Sequence, residues 1–273
     1  MGRRIAIIGA GSWGSALAIV AARAGHEVTI VYAVDDPARP EYELQESQFE
    51  RLRIFTINRR RGGRFKQLRR LLFLLNLHHS YLNRRIERIV DEILARAHPD
   101  VVHVHHLWAL SITLLTRLKA CGLPVIVTLH DCWFICWNGT KMREQTVPCE
   151  SIPHCGARCL TYLLERHLNL RPAFYDTRRY AWWRRAINRV MGSGLGLLSW
   201  YLARHVEIRR QRVLAELSRA DHILAPSRFL KQFYLGFGVD PDRIRHSDYG
   251  TEVLSAPPGA ARRHIDARPI GVE

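Results

Sequence analysis

The sequence predicts a doubly wound parallel α/β sheet. Short apolar runs of strand length alternate with longer stretches of helical pattern, the order expected when helices cover both faces of a sheet. A glycine-rich turn, Gly9 to Gly14, separates the first apolar run from the first helix, as in a compact β-α-β unit. Two later runs, Val101-Val-His-Val-His-His106 and Pro124-Val-Ile-Val-Thr-Leu-His-Asp131, end abruptly in ionisable residues. Ligands of open α/β sheets bind outside the carboxyl ends of the strands, so two neighbouring strands that both end in histidine point at a site.

Element by element, Ile5–Ile8 reads as the first strand and Ser15–Ala24 as a helix closed by Gly25. His26–Tyr32 is the second strand. Val34–Glu50 is polar and broken by prolines, which predicts a loop. Leu52–Ile57 alternates as a third strand, and Arg59–Arg64 is a basic loop. Phe65–Ala97 has the period of one or two amphipathic helices, with Leu71, Leu72, Leu74, Leu75 and Leu77 on the apolar side, and Pro99 stops it. Val101–His105 is a strand, Leu110–Cys121 a helix and Pro124–Leu129 a strand. Cys132–Cys159 is irregular, and Leu160–Ala220 is largely helical and very basic. His222–Ala225 is a short strand, Ser227 caps a helix over Arg228–Phe237, and Ile244–Ser247 closes the series. Pro257-Pro-Gly and Pro269 predict a linker. The expected organisation is one domain over residues 1–254, with a loop at 132–159 and a helical insertion at 160–220, then a linker over 255–273.

The chain carries 41 Lys+Arg against 25 Asp+Glu, a net charge of +16, which attracts polyanions such as anionic lipid, nucleic acid or phosphorylated substrates. Arginine supplies most of the excess, at Arg51–Arg70, Arg84–Arg96, Arg178–Arg189 and Arg204–Arg219. Tyr180-Ala-Trp-Trp-Arg-Arg185, with Trp200 and Tyr201 beyond it, sets tryptophan beside arginine. That pattern suits a membrane interface, and equally a core-facing aromatic stripe with solvated arginines. No nucleic-acid-binding motif accompanies it, which lowers that reading. The first residues lack the form of a secretory leader, and the most apolar stretch, Val190–Ala203, is too short and glycine-rich to cross a membrane. A cytoplasmic chain, peripheral to the inner face of the plasma membrane, is the expectation.

Gly9, Gly11 and Gly14 fit the G-x-G-x-x-G pattern, and Asp35 follows Gly14 at about the spacing of a ribose-binding acid. With Ser12 inside it, the turn is either a phosphate or nucleotide contact or simply a tight β-α turn. Of six cysteines, Cys121 and Cys132 read as small core residues. Cys136, Cys149, Cys155 and Cys159 share one irregular segment and suit a structural zinc site, with His154 as a substitute ligand; free thiols and a disulfide are the alternatives.

Gly9-Ala-Gly-Ser-Trp-Gly-Ser-Ala-Leu-Ala18 resembles the opening of NAD-dependent glycerol-3-phosphate dehydrogenases over about the first thirty residues, which implies an oxidoreductase using NAD. A wider resemblance begins at Gly25-His-Glu-Val-Thr-Ile-Val. With Asp35-Asp-Pro-Ala-Arg-Pro-Glu-Tyr, His98-Pro-Asp-Val-Val-His-Val-His-His-Leu-Trp, Pro124-Val-Ile-Val-Thr-Leu-His-Asp-Cys-Trp-Phe-Ile-Cys and Ala220-Asp-His-Ile-Leu-Ala-Pro-Ser-Arg-Phe-Leu, it is similar to the N-terminal, acceptor-binding domain of glycosyltransferase family 4. That resemblance implies one Rossmann-like half of a GT-B fold and a nucleotide-sugar donor bound mainly by a second domain. Pro269-Ile-Gly-Val looks like that domain's first strand, so this chain is expected to lack the donor half. It implies His130 facing the reacting sugar, with Asp131 beside it either orienting a histidine or capping a turn. His103 and His105, on one strand face, are directed with His106 toward substrate or are neutral histidines hydrogen-bonded inside the sheet, and Ser227 and Arg228 at a helix N-terminus suit an anionic acceptor or donor phosphate. The glycine loop is then a donor-phosphate contact, and the acceptor is a glycan or a lipid-linked sugar. A non-catalytic module that binds a membrane or a partner is the third expectation.

Overall fold

The computed structural model describes residues 2–9, 11–59, 81–136, 139 and 196–248, with backbone alone for 196–200, 202 and 203. Eight strands form one sheet: β1 Arg4–Ile8, β2 Glu27–Val34, β3 Leu44–Phe49, β4 Leu52–Asn58, β5 Val101–Val104, β6 Val125–Thr128, β7 His222–Ala225 and β8 Ile244–His246. The described helices are α1 Ser12–Arg23, α2 Arg84–Ala97, α3 Leu114–Ala120, α4 Gly196–Leu217 and α5 Arg228–Leu235. The strand order is β3-β4-β2-β1-β5-β6-β7-β8. Every pairing is parallel except that of β3 with β4. From β1 the chain builds outward through β2 and β4, then returns to the other side of β1 as β5 and runs on to β8. The order therefore reverses between β1 and β5, and the crevice for a ligand lies at their carboxyl ends.

Alternation along β1 assigns the two faces. Ala6 and Ile8 join the larger core with Ile86, Val90 and Ile93 of α2, and Ile7 joins the smaller core with Ala18 and Ala22 of α1. The inner strands are buried on both faces, so they read as nearly continuous apolar runs.

Three elements differ from expectation. Residues 44–49 form an antiparallel edge strand, not a loop; five of the six are exposed, so Leu-Gln-Glu-Ser-Gln-Phe carries no apolar alternation to announce it. Helix α1 starts at Ser12, which places Gly14 inside its first turn, against the sheet. Helix α3 starts at Leu114 instead of Leu110. Buried Glu87 of α2 accepts hydrogen bonds from Ser111 Oγ (2.7 Å) and Thr113 Oγ1 (2.5 Å), and Ser111 Oγ accepts the Asn83 N–H, which holds the preceding residues in turns. Cys121 is exposed at the C-cap of α3, where the turn into Gly122 carries it to solvent, while Cys132 is buried as expected. The remainder of the 65–97 helical stretch, most of the 132–159 loop, residues 160–195 and the 255–273 linker lie outside the described residues. No helix among the described residues is long and apolar enough to cross a membrane.

Asn58, fully buried at the end of β4, anchors the loop after β2. Its Oδ1 accepts the Asp36 N–H (3.0 Å), and the two hydrogens of its Nδ2 are shared among the carbonyls of Asp36 (3.0 Å), Arg39 (2.9 Å) and Pro40 (2.9 Å). Replacing it orphans several backbone groups together. Asn58→Ala is expected to lower stability by about 2–4 kcal/mol, read as a lower urea midpoint at unchanged slope.

Candidate functional site

The site grows from a close backbone approach at the switch point. Gly9 follows β1 with φ +76°, and its N–H donates to the Val31 carbonyl (2.8 Å). Alongside it, the His105 N–H donates to the Ile8 carbonyl (2.9 Å), which brings the His106 backbone over Gly9. A Cβ on Gly9 would stand 1.6 Å from the His106 carbonyl oxygen. Space and torsion both require glycine here, whatever binds in the crevice.

Behind the crevice lies a stack of histidines. His103 and His105 share a strand face, as the alternation predicts, with ring centroids 4.2 Å apart. His103 Nε2 is hydrogen-bonded to Thr128 Oγ1 of β6 (2.8 Å). His105 Nδ1 lies 2.8 Å from His130 Nε2, and these two rings stack at 5.0 Å. Burial, with the neighbouring imidazole His130 adding to it, pushes His103 down to about 4. Burial, then His103 and His130, pushes His105 down to about 3. His130 is also lowered, by burial and then His106, with Asp131 opposing. The trio is neutral at pH 7.

Neutrality fixes where the protons sit. His105 is 1% exposed, and its Nε2 has no hydrogen-bond partner among the described residues. A buried N–H without an acceptor is rarer in folded proteins than an under-used acceptor, so the His105 proton belongs on Nδ1, donated to His130 Nε2. Neutral His130 then carries its own proton on Nδ1. His105 thus sets both the orientation and the tautomer of His130.

A second pair lies nearer the opening. His106 Nδ1 accepts the Trp108 N–H (2.9 Å), which leaves Nε2 to carry the proton toward Asp131 Oδ2 at 3.5 Å. Asp131 Oδ1 accepts the Trp133 N–H (2.8 Å), and the Asp131 carbonyl accepts from Tyr234 Oη of α5 (2.9 Å). Burial raises the Tyr234 hydroxyl well above its ordinary value, so it remains a neutral donor. Arg209 of α4 lies beneath this loop at 2% exposure, its Nη2 donating to the Trp133 carbonyl (2.8 Å) and its guanidinium 4.7 Å from the Trp133 ring centroid. Burial lowers it to about 10, so it stays charged. Thr128, Tyr234 and Arg209 were not legible as site residues. Arg209 in particular sits in a helix whose arginines read as solvated.

Other predicted residues fall on the same edge of the sheet. Asp35 immediately follows β2, Ser12 opens α1, and Gly11 at the N-cap has open space where a Cβ would go. Ser227 Oγ caps α5 by accepting the Leu230 N–H (3.2 Å), and Arg228 is exposed at that helix start. The structure brings together His103, His105, His106, His130, Asp131 and Gly9, while the Ser227 hydroxyl is engaged in capping its own helix. Cys136 is buried, whereas Cys149, His154, Cys155 and Cys159 lie outside the described residues, among which no group of metal ligands forms.

A sequence model of Glycosyltransferase Family 4 matches residues 9–192. None of the curated proteins matches the sequence. Among solved structures, sucrose-phosphate synthase from Thermosynechococcus elongatus is 17% identical, with 91% of this chain and 90% of that one covered at a TM-score of 0.42. UDP-N-acetylglucosamine 2-epimerase from Rickettsia bellii is 11% identical, with 91% and 45% covered at 0.39. The UDP-forming α,α-trehalose-phosphate synthase from Burkholderia vietnamiensis is 10% identical, with 86% and 42% covered at 0.38. The chain thus spans about two fifths of the length of the trehalose-phosphate synthases.

The backbone crossing and the buried histidines each make a prediction. Gly9→Ala is expected to cost more than about 3 kcal/mol, or to prevent folding, whereas Gly11→Ala should change stability by less than about 1 kcal/mol in urea titrations. For pH, the folded chain keeps His103 and His105 neutral while the unfolded chain protonates them below about 6.5. The unfolded state therefore binds more protons between about pH 6.5 and 4, and stability falls through that window as pH is lowered, by about 1 kcal/mol per pH unit for each group. Denaturant midpoints from pH 7 to pH 4.5 check this, and His103→Gln should flatten the slope.

Proposed function

We propose that this chain, which belongs to glycosyltransferase family 4, is the acceptor-binding half of a nucleotide-sugar-dependent glycosyltransferase. The observation that carries the reading is the convergence of His130, His106 and Asp131 at the switch point between β1 and β5, the place where this sheet architecture holds ligands. His130, neutral and backed by His105, is a polar group of fixed orientation for a sugar hydroxyl or for charge that develops near the bond being made. Asp131, hydrogen-bonded at Oδ1 and facing His106 at 3.5 Å yet partly open to solvent, accepts from an acceptor hydroxyl, and His106 beside it steadies its charge. The donor's diphosphate suits the N-terminus of α1 at Ser12, where main-chain N–H groups and the helix dipole favour negative charge. Ser227 and Arg228, at the start of α5, suit an anionic part of donor or acceptor.

The finer reading has three parts. The acceptor is a lipid-linked or cell-surface glycan; the chain is peripheral to the cytoplasmic face of the plasma membrane, drawn by its net charge of +16; and Cys136, Cys149, Cys155 and Cys159 hold a structural zinc that pins their loop. Asp35 just beyond β2 favours a second reading, an NAD-dependent oxidoreductase. Against it, the demand for glycine at position 9 is met by packing on His106 alone.

The reading is tested by joining this chain to its donor-binding half and following sugar transfer. His130→Ala should reduce kcat by about 100-fold or more with the fold intact, and Asp131→Asn should weaken turnover with less effect on donor binding. Unchanged turnover in His130→Ala would remove the basis of the proposal, and tight nicotinamide binding with no sugar-nucleotide binding would favour the oxidoreductase.

A further inference from the structure

Helix α1 is built the opposite way round from an ordinary surface helix. Its buried face consists of Gly14, Ala18 and Ala22, which let the helix lie close on the sheet over Ile7, Val28 and Ile30. Its large apolar side chains point outward: Trp13 is 47% exposed, Leu17 41%, Ile19 40% and Val20 64%. Trp13, Leu17 and Val20 are spaced four and three residues apart and so form one stripe, and Ile19 is exposed more than a quarter of a turn round the helix from it. The rest of the outer face is Ser12, Ser15, Ala16 and Arg23, and the helix contains no acidic residue. A soluble surface helix normally carries charged residues on that side.

We propose that this outer face of α1 is the surface by which the chain docks on an anionic membrane. The inference rests on the peripheral-membrane reading above and assigns it to particular residues. Charge selects the occupant. Arg23 closes the helix, and Arg51, exposed, reaches to within 3.9 Å of where a Cβ on Gly25 would stand, just past the helix end. Neither arginine has an ion-pair partner among the described residues. An apolar stripe with tryptophan at one end and arginine at the other matches the interfacial region of a bilayer, where aliphatic groups enter the acyl boundary and cations meet headgroup phosphates. A second copy fits less well: pairing through one 12-residue helix covers little area and brings together two chains of net charge +16. The stripe also starts at the crevice end of the sheet, where β1 delivers Gly9 to the site, so docking would hold the crevice near the lipid surface.

The test is co-sedimentation of the full chain with phosphatidylcholine vesicles, alone or with about a third phosphatidylglycerol. Partition onto the anionic vesicles, weakened by salt, is expected. Leu17→Gln combined with Val20→Gln should reduce it by about tenfold or more. Ala16→Leu, one turn from both Trp13 and Val20, widens the stripe and should raise partition several-fold. Both variants should keep the parent's thermal unfolding curve, which shows that neither change in partition arises from unfolding. If the parent chain ignores anionic vesicles, the membrane reading and this inference fall together. If the parent binds and neither variant differs from it, the α1 assignment is overturned while the membrane reading stands. If sedimentation instead shows concentration-dependent pairing that the double variant abolishes, the face belongs to a second copy and the proposal is wrong.

Discussion

The crossing of backbone at Gly9 and His106 is the constraint on which the rest depends. β1 and β5 are neighbours whose chain continuations diverge, and their carboxyl ends can meet this closely only if one residue has no side chain and tolerates φ near +76°. Once they meet, His105 is driven into the sheet beside His103, and His106 is left at the rim. β6, in parallel register with β5, then delivers Thr128 to His103 and His130 to His105. One close approach therefore positions every histidine of the crevice.

The energetics separate the site into two layers. The inner layer, His103 and His105, is uncharged and costs stability whenever acid forces a proton on the unfolded chain. The outer layer, His106 and Asp131, keeps its polarity where solvent and ligands reach it. Beneath both, Arg209 carries a charge with almost no solvent access, tolerated because aromatic rings and a main-chain carbonyl surround it. Glu216 of the same helix receives the Thr116 N–H and hydroxyl, fixing α4 to α3 and so holding Arg209 under the loop.

The sheet was legible because its inner strands are buried on both faces and end in abrupt changes of polarity. The histidine pair was legible for the same reason, since alternation with valine puts His103 and His105 on one side. β3 was not, because an exposed edge strand needs no apolar pattern. The early start of α1 and late start of α3 were hidden by side-chain bonds and backbone contacts that no local pattern encodes, such as the Glu87 bonds to Ser111 and Thr113. Thr128 read as one more strand residue, and Arg209 as one more solvated arginine in a basic stretch. Both owe their roles to partners far away in sequence.

The most direct measurement is long-range 1H–15N NMR of the histidine rings in the 15N-labelled chain at neutral pH. If the crevice is built as described, His105 and His130 both carry their proton on Nδ1, His105 donating to His130. A His130 ring protonated on Nε2, with His105 accepting, would contradict the account, since His105 would no longer set the face that His130 presents.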